Sequence, residues 1–406
     1  MSSTEKSVYL DYGATTPCDE RVLQTMIPYF TTKFGNPHSK SHVYGWTAED
    51  AIENARSQIA KSIGAETKEI IFTSGATESN NIAIKGALKY HASQGKNHII
   101  TTKIEHKCVL QSCLDSKKEY GASITFLDVQ NNGLIDIELL KQSIQPNTLM
   151  VSILWVNNEI GVIQNIEKIG EICRQNKIYL HVDAAQALGR IFIDVNKCNI
   201  DIMSMSGHKI YGPKGIGALY VRKKPRVYLS AITSGGMQER GLRSGTLPTP
   251  LCVGMGKAAE LATKLMKDET EQMQQFSQYM LETLKQFLPS IYVNGDLQYR
   301  IPHNLNISFA GVEGESLMMK MNEIAISSGS ACTSGLLEGS YVLKALGVQE
   351  ELAHTSLRIV FGRFTTMSDV KYATNRIIES VNHLRKMSPI WKMMEDGIDL
   401  NSIDWD

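Results

Sequence analysis

The sequence lacks a long apolar run, a net charge and any paired arrangement of cysteines. Its longest apolar stretch, LMVSILWV at residues 149–156, has the length of a buried strand and is too short to cross a membrane. The 42 basic and 42 acidic residues balance, which argues against nucleic acid or an anionic membrane as the main partner. No repeat or low-complexity linker divides the 406 residues, and a chain of this length is expected to form two domains.

The seven cysteines form no CxxC pair and no zinc-ligand spacing. They are Cys18, Cys108, Cys113, Cys173, Cys198, Cys252 and Cys332. An odd number in a long chain argues against disulfide stapling and indicates a reducing compartment. The first residues, MSSTEKSVYLDYG, carry no apolar segment and predict neither a secretory signal nor an arginine-rich transit peptide. We therefore expect a bacterial cytoplasmic protein, with an organellar matrix after removal of a presequence as the alternative.

A candidate reactive lysine ends the apolar run IMSMSGHK at residues 202–209. The chain then turns through YGPKG and enters a second apolar run, GIGALYV, at residues 215–221. A lysine at the end of a strand, among small residues, can be desolvated and held as the amine that forms a Schiff base. Taken alone, Lys209 is better explained as a solvated turn residue, so its interpretation depends on its partners elsewhere in the chain.

A candidate carboxylate follows another buried run, IYLHV at residues 178–182. This run places Asp183 and Gln186 at the carboxyl end of a strand, where open α/β sheets bind their ligands. Asp183 and Lys209 together fit a pyridoxal phosphate (PLP) site, with the aspartate on the pyridine nitrogen and the lysine on the aldehyde. The alternative role for Asp183 is a helix N-cap, and the two roles can coexist.

A third element leads from the strand pattern IIFT through Ser-Gly-Ala-Thr into a helical pattern at residues 80–90. Small residues at such a turn, Ala76 among them, leave backbone N–H groups and the helix N-terminus open to an anion. Glu78 in the first helical turn allows a plain helix cap as the competing explanation.

These motifs resemble those of the cysteine desulfurases of housekeeping iron–sulfur cluster assembly (IscS/NifS-like), which are fold-type I PLP enzymes of the class-V aminotransferase family. The resemblance covers almost the whole chain, and the cysteine segment is its most selective part. The matching stretches are YLDYGATTP (9–17), FGNPHSKSH (34–42), FTSGATESNN (72–81), EHKCVL (105–110), VNNEIGVIQ (156–164), HVDAAQ (181–186), SGHKIYGPKGIGALY (206–220), GLRSGTL (241–247), SSGSACTS (327–334) and LRIVFGRFT (357–365).

Apolar runs alternate with helical patterns between residues 18 and 261, which predicts βα units and a mostly parallel sheet. A long helical pattern at residues 258–288 then leads into a smaller α+β region. The resemblance implies an α/β fold with a seven-stranded sheet flanked by helices. It further implies a large PLP-binding domain at residues 18–262, and a small domain at residues 1–17 and 263–406 that carries a cysteine loop and a C-terminal partner-binding tail. A frayed tail is the alternative.

The resemblance also implies a role for each site residue. Lys209 is expected to hold the cofactor covalently and to move the Cα proton, and His106 to stack on the ring and serve as acid or base. The remaining cofactor contacts are expected from Ala76, Thr77, Asn158, Asp183, Gln186, Ser206 and His208, and from Thr246 of a neighbouring subunit in a homodimer. Arg358, assisted by Asn36 and Asn158, is expected to bind the substrate carboxylate, although a surface ion pair would also explain this arginine.

Cys332 lies in SSGSACTSG, a run too small and polar to bury a thiol well and too rich in Gly and Ser to be rigid. The resemblance makes Cys332 the nucleophile that takes sulfur as a persulfide; an incidental loop cysteine is the alternative. No metal site is predicted, although the Cys332 thiolate could bind iron or an iron–sulfur cluster transiently during transfer.

The expected reaction converts L-cysteine into L-alanine and supplies sulfur for iron–sulfur cluster assembly and tRNA thiolation. Expected partners are an iron–sulfur scaffold protein of the IscU type and other sulfur acceptors. The alternatives are another fold-type I enzyme, such as a selenocysteine lyase or an aminotransferase, and a non-catalytic scaffold. The lysine and aspartate segments belong to many PLP enzymes, whereas the segment around Cys332 favours a desulfurase. The sister group of desulfurases is a further alternative, but it carries its cysteine in a shorter segment than the long Ser/Gly-rich run found here.

Overall fold

The structure is a computed structural model that describes residues 7–328 and 339–397. Its helices are α1 (Glu20–Thr31), α2 (Val43–Ser62), α3 (Ala76–His91), α4 (Lys107–Tyr120), α5 (Ile137–Gln142), α6 (Ile166–Gln175), α7 (Thr249–Phe287), α8 (Gly314–Met319), α9 (Tyr341–Ala345), α10 (Glu350–His354), α11 (Met367–Met387) and α12 (Pro389–Glu395). Among these described parts of the chain, no helix combines the length and the apolar character needed to cross a membrane.

The strands are β1 (Val8–Tyr9), β2 (Ile70–Thr73), β3 (His98–Thr102), β4 (Ser123–Leu127), β5 (Thr148–Leu154), β6 (Tyr179–Asp183), β7 (Ile202–Ser206), β8 (Gly217–Val221), β9 (Ile291–Val293), β10 (Asn304–Phe309), β11 (Ile324–Ala325), β12 (Ser327–Ser328) and β13 (Ser356–Val360). The largest sheet has seven strands in the order β2-β8-β7-β6-β5-β3-β4. All neighbours in it are parallel except β8, which is antiparallel to β2 and β7. The predicted α/β fold with a mostly parallel seven-stranded sheet is therefore confirmed.

Helices cover both faces of this sheet because successive strand residues point to opposite sides. On β5, Met150 packs into the core beneath α3 and α4, whereas Val151 packs into the core beneath α2, α6 and the start of α7. Every residue of β5 is buried, as expected for a strand at the centre of a covered parallel sheet.

A second core lies around the antiparallel sheet β12-β13-β10-β9. It receives Met273 and Phe276 from the later part of α7, together with one face of α11. Val8 also packs there, where β1 pairs with β11. The helix α7 thus joins the two cores, and it crosses the expected domain boundary at residue 262 without a break. The division into two domains stays a prediction.

The start of α7 differs from the sequence prediction. The helix begins at Thr249, not at residue 258, and it includes Gly254 and Gly256. Two glycines lower intrinsic helix propensity, but tertiary packing can override that preference. A Cβ at position 256 would lie 2.6 Å from the Cα of Ala55, and one at position 254 would lie 2.5 Å from the sulfur of Met26. These glycines allow α7 to pack closely on α1 and α2.

A buried ion pair holds the strand that leads into the site. Arg56 on α2 and Glu239 are 5% and 7% exposed, and they form two hydrogen bonds of 2.7 and 2.8 Å. Glu239 also accepts the Phe72 N–H at 2.6 Å, and Arg56 donates to the Ile70 carbonyl at 2.8 Å. Both of these backbone groups belong to β2, so the pair fixes the strand that ends at the turn at residues 74–77.

Replacing Arg56 with methionine is expected to lower the free energy of unfolding by about 3–5 kcal/mol, because Glu239 would stay buried without its cation. Urea unfolding followed by circular dichroism measures this change. Lys168→Ala is the control: it removes an exposed pair with Glu171 and is expected to cost about 1 kcal/mol at most. Equal costs for the two variants would contradict the stabilising role of the buried pair.

Candidate active site

A cleft of about 580 Å³ opens where β5, β6 and β7 end and α3 begins. It brings together ten of the residues that the sequence singled out: Ala76, Thr77, His106, Asn158, Asp183, Gln186, Ser206, His208, Lys209 and Arg358. Asn36 and Thr246 are exposed and do not line this cleft. Cys332 lies outside the described residues.

Lys209 is held by backbone carbonyl groups from the start of the chain. It ends the short 3₁₀ turn Gly207–Lys209 that follows β7, and its Nζ donates to the carbonyls of Gly13 and Ala14, each at 2.6 Å. The hydroxyl oxygen of Thr15 lies 3.1 Å from Nδ1 of His208. Residues 9–17 were recognised as a motif, but their contact with the lysine was missed because a carbonyl acceptor leaves no side-chain signal in a sequence.

Asp183 ends β6 and is 2% exposed. Its Oδ1 accepts the Ala185 N–H at 2.9 Å and closes a turn. No helix lies between β6 and β7, so the helix N-cap considered from the sequence is wrong. Its Oδ2 accepts from the side-chain amide of Asn80 at 2.7 Å. Asn80 was not predicted as a site residue; the signal available was a buried polar residue inside the motif at residues 72–81. The Asn80 Oδ1 is itself buried without a hydrogen-bond partner in the part of the chain that the structure describes.

The tautomer of His106 follows from its position as the N-cap of α4. Its Nδ1 accepts the Cys108 N–H at 3.2 Å, so the neutral ring carries its proton on Nε2. Burial lowers the pKa of His106, and the neighbouring cations Lys209 and Lys107 lower it further, against the opposing effect of Asp183. His106 is therefore a neutral imidazole at pH 7, with Nε2 as the donor.

The turn before α3 exposes backbone to the cleft. The N-cap Gly75 has no side chain to occupy the helix N-terminus, while Glu78 accepts the Ser74 N–H at 2.5 Å. The cap predicted as a competing role for Glu78 thus coexists with an open N-terminus. A Cβ at Gly217 would lie 2.6 Å from the Gly75 Cα, so glycine at 217 lets β8 approach this turn. Burial and the nearby lysines lower the pKa of His208 to about 4, which keeps that ring neutral.

Arg358 reaches the cleft from the smaller sheet and is 5% exposed. Its Nη2 donates to Asp11 at 2.8 Å and to the Ser327 hydroxyl at 3.0 Å, and its Nη1 lies 3.4 Å from the Asn158 carbonyl. Its Nε and the Asn158 Oδ1 are buried and have no hydrogen-bond partner within the described residues. Arg358 and Asn158 both line the cleft, so a polar ligand bound there can supply partners for these two groups.

Gln186 is 4% exposed, and both ends of its amide are engaged. Its Nε2 donates to the Gly13 carbonyl at 2.9 Å, and its Oε1 accepts from Arg190. The amide nitrogen carries a second N–H, so the cofactor contact that the resemblance implies for Gln186 is compatible with both of these bonds.

Residues 8–373 match the sequence model of the family described as Aminotransferase class-V. Cysteine desulfurase IscS of Rickettsia bellii is 56% identical over 398 residues, which cover 98% of this chain and 97% of the relative. The same enzyme of Rickettsia conorii is also 56% identical over 98% of this chain and 97% of its own length.

Two solved structures extend the comparison. A NifS-like protein superposes with a TM-score of 0.86 at 34% identity, over 93% of this chain and 100% of that one. SspA in complex with cysteine superposes with a TM-score of 0.79 at 38% identity, over 89% of this chain and 100% of that one.

The charges around His106 predict opposite pKa changes in two variants of the ligand-free protein. Lys209→Met is expected to raise the pKa of His106, because the variant lacks a cation that disfavours the imidazolium. Asp183→Asn is expected to lower the pKa of His106, because the variant lacks an anion that favours the imidazolium. NMR titration of ¹³C-labelled histidines measures both changes, and loss of the signal in His106→Gln assigns the resonance. Shifts of the same sign in the two variants would contradict this electrostatic arrangement.

Proposed function

The chain belongs to the class-V aminotransferase family and, within it, to the cysteine desulfurases, and on this basis we propose that it converts L-cysteine into L-alanine and takes the sulfur on Cys332 as a persulfide. The observation that carries the proposal is the meeting of Lys209, Asp183 and Arg358 in one cleft, with the guanidinium Nε unpaired among the described residues. The reaction balances without a further reactant: L-cysteine and a protein thiol give L-alanine and a protein persulfide.

The family is PLP-dependent, and the described residues fit this cofactor. The Lys209 amine suits the aldehyde, and the buried Asp183 carboxylate suits a protonated ring nitrogen. The open N-terminus of α3, with Ser206 and His208 beside it, suits the phosphate. The unpaired Asn158 Oδ1 provides one more polar contact. When bound, PLP supplies an electron sink for the pair of electrons released as the Cα–H bond breaks.

The residues of the chain divide the remaining work. Arg358 binds the substrate carboxylate through two N–H groups of its guanidinium, which orients Cα towards Lys209. Lys209 takes the Cα proton, and the neutral His106 offers its Nε2 proton within the same cleft. The Cys332 thiolate attacks the substrate sulfur, so that an S–S bond forms as the Cβ–S bond breaks. The electron pair of the broken bond stays with the carbon and is protonated to give the methyl group of alanine.

We further propose a cytoplasmic homodimer in which Thr246 contacts the cofactor phosphate of the neighbouring subunit. Thr246 is exposed and lies away from the cleft of its own chain, which supports this role. The relatives are named cysteine desulfurase IscS, which supports a role in iron–sulfur cluster assembly. Delivery of the sulfur to a scaffold protein of the IscU type and to tRNA thiolation completes this proposal. The tail at residues 388–406 is proposed as the surface that binds the scaffold, and Cys332 as a transient iron–sulfur ligand during transfer.

The proposed reaction is tested by incubating the protein with PLP, L-cysteine and a thiol reductant and measuring alanine and sulfide together. Equal amounts of alanine and sulfide over many turnovers are expected.

Cys332→Ser is expected to change the cofactor absorption on adding L-cysteine but to form no persulfide, because it lacks the attacking thiolate. Lys209→Ala is expected to remain folded and to lose the covalent cofactor. Consumption of a keto acid would instead identify an aminotransferase, and persulfide formation by Cys332→Ser would refute the assignment of the nucleophile.

Arg358→Lys is expected to raise the KM for L-cysteine by about 100-fold, because a lysine cannot form the two-pronged contact of a guanidinium with a carboxylate. The cofactor absorption is expected to stay unchanged. Steady-state kinetics measure the effect. Arg222→Lys is the matched control, since Arg222 is also buried but binds the carbonyls of Val195 and Ile200 outside the cleft. Equal KM changes in both variants would show a general loss of packing.

A further inference from the structure

Arg190 contacts the cleft residue Gln186 from outside the cleft. Gln186 lines the cleft, whereas Arg190 does not. Nη1 of Arg190 donates to Oε1 of Gln186 and lies 3.5 Å from the Gln186 backbone carbonyl. Nη2 of Arg190 donates to the Tyr12 carbonyl at 3.3 Å. One guanidinium therefore joins the turn after β6 to the motif at residues 9–17.

The partners of the Gln186 amide define its orientation. A guanidinium has only donors, so the Gln186 atom that faces Arg190 is the carbonyl oxygen. The Gly13 carbonyl is an acceptor, so the Gln186 atom that faces it at 2.9 Å is the amide nitrogen. A flipped amide would place donor against donor at Arg190 and acceptor against acceptor at Gly13. The fixed orientation leaves the second N–H of Nε2 as the donor that Gln186 can offer to a ligand in the cleft.

Arg190 acts on this amide as a cation. Removal from water lowers the pKa of Arg190 to about 10, so the guanidinium stays charged at neutral pH. Within residues 7–328 and 339–397 it forms no ion pair, and its hydrogen bonds go to Gln186 and Tyr12. A cation on the oxygen of an amide polarises the amide and strengthens its N–H groups as donors. The charged and titratable groups around Arg190 are Lys209, Tyr211, Glu269, His303, Arg358 and Arg363.

We propose that Arg190 is a positioning residue that holds the Gln186 side chain with an N–H towards the phenolic oxygen of PLP. This inference rests on the proposed function. Lys209 suits the aldehyde and Asp183 suits the ring nitrogen, while the N-terminus of α3 suits the phosphate. The phenolic oxygen beside the aldehyde is therefore the polar group left for Gln186. A hydrogen bond to this anionic oxygen favours loss of the proton from the nitrogen that links Lys209 to the cofactor.

The experiment compares Arg190→Met, Arg190→Lys, Gln186→Met and the Arg190→Met/Gln186→Met double variant as PLP-loaded full-length proteins. Two quantities are measured: the pH midpoint of the change in cofactor absorption, and the thermal unfolding midpoint. Arg385→Met is the matched control. Arg385 also has a pKa of about 10 and donates to two backbone carbonyls, those of Ala310 and Ser290, but it does not line the cleft.

Arg190→Met is expected to raise the pH midpoint by about 0.5–1 unit, because the released amide no longer holds its N–H on the phenolic oxygen. Arg190→Lys keeps a cationic donor for Oε1 of Gln186 and is expected to stay close to the wild-type midpoint. Arg385→Met is expected to leave the pH midpoint unchanged. A purely structural role for Arg190 would lower the thermal midpoint without moving the pH midpoint.

The double variant separates an effect through Gln186 from a direct effect of the Arg190 charge on the cofactor. Gln186→Met alone is expected to raise the pH midpoint, and adding Arg190→Met is expected to raise it no further. A direct charge effect would add a second rise in the double variant. If Arg190→Met fails to fold, Arg190→Gln replaces it: a neutral amide can donate or accept, so it selects neither orientation of Gln186 and is also expected to raise the midpoint.

A wild-type pH midpoint in Arg190→Met, or a second rise in the double variant, would overturn the inference. So would a midpoint in Arg190→Lys as high as that in Arg190→Met. A wild-type protein that shows no cofactor absorption with PLP overturns the proposed function and the inference with it. Normal PLP loading with equal midpoints in the wild type and Arg190→Met overturns the inference alone.

Discussion

The carboxylate of Asp183 is 2% exposed at the carboxyl end of β6, and hydrogen bonds from Ala185 and Asn80 fix both of its oxygens. A buried carboxylate needs hydrogen bonds and positive charge nearby to remain ionised. Asp183 is one of the charges that act on His106, and the cation of Lys209 acts on the same ring in the opposite sense. A protonated pyridine nitrogen next to Asp183 would provide the buried cation that this geometry favours.

The cleft is completed only when both sheets contribute to it. Lys209 and Asp183 follow strands of the large sheet, whereas Arg358 belongs to the small one. The helix α7 packs into both cores, and the carbonyl of Asn158 lies against the guanidinium of Arg358. A substrate whose carboxylate binds Arg358 while its amine approaches Lys209 therefore spans the two cores. Binding energy from the remote carboxylate is thus available to orient the reacting carbon.

The sequence was sufficient to predict elements whose signal is local. Strand ends followed by small residues predicted the placement of Lys209 and Asp183, because the carboxyl ends of parallel strands meet at one edge. The carbonyls that hold Lys209 belong to Gly13 and Ala14, and a backbone acceptor has no residue-specific signature. A hydrogen bond that the Ser340 hydroxyl donates to Glu159 joins residues 181 positions apart, each of which is ordinary in its own segment. Asn36, Thr246 and Cys332 keep their assigned roles as predictions.

The cleft contains a thiol of its own, and its properties explain why the proposed nucleophile comes from elsewhere. Cys108 lines the cleft, but burial raises its pKa to about 11, and the charge of Asp183 contributes to the rise. A thiol attacks sulfur as the thiolate, so Cys108 is inert at neutral pH. The buried carboxylate that suits a PLP ring therefore disfavours ionisation of any thiol held permanently beside it. This ionisation behaviour is the physical reason for proposing Cys332, and not Cys108, as the thiol that receives the sulfur.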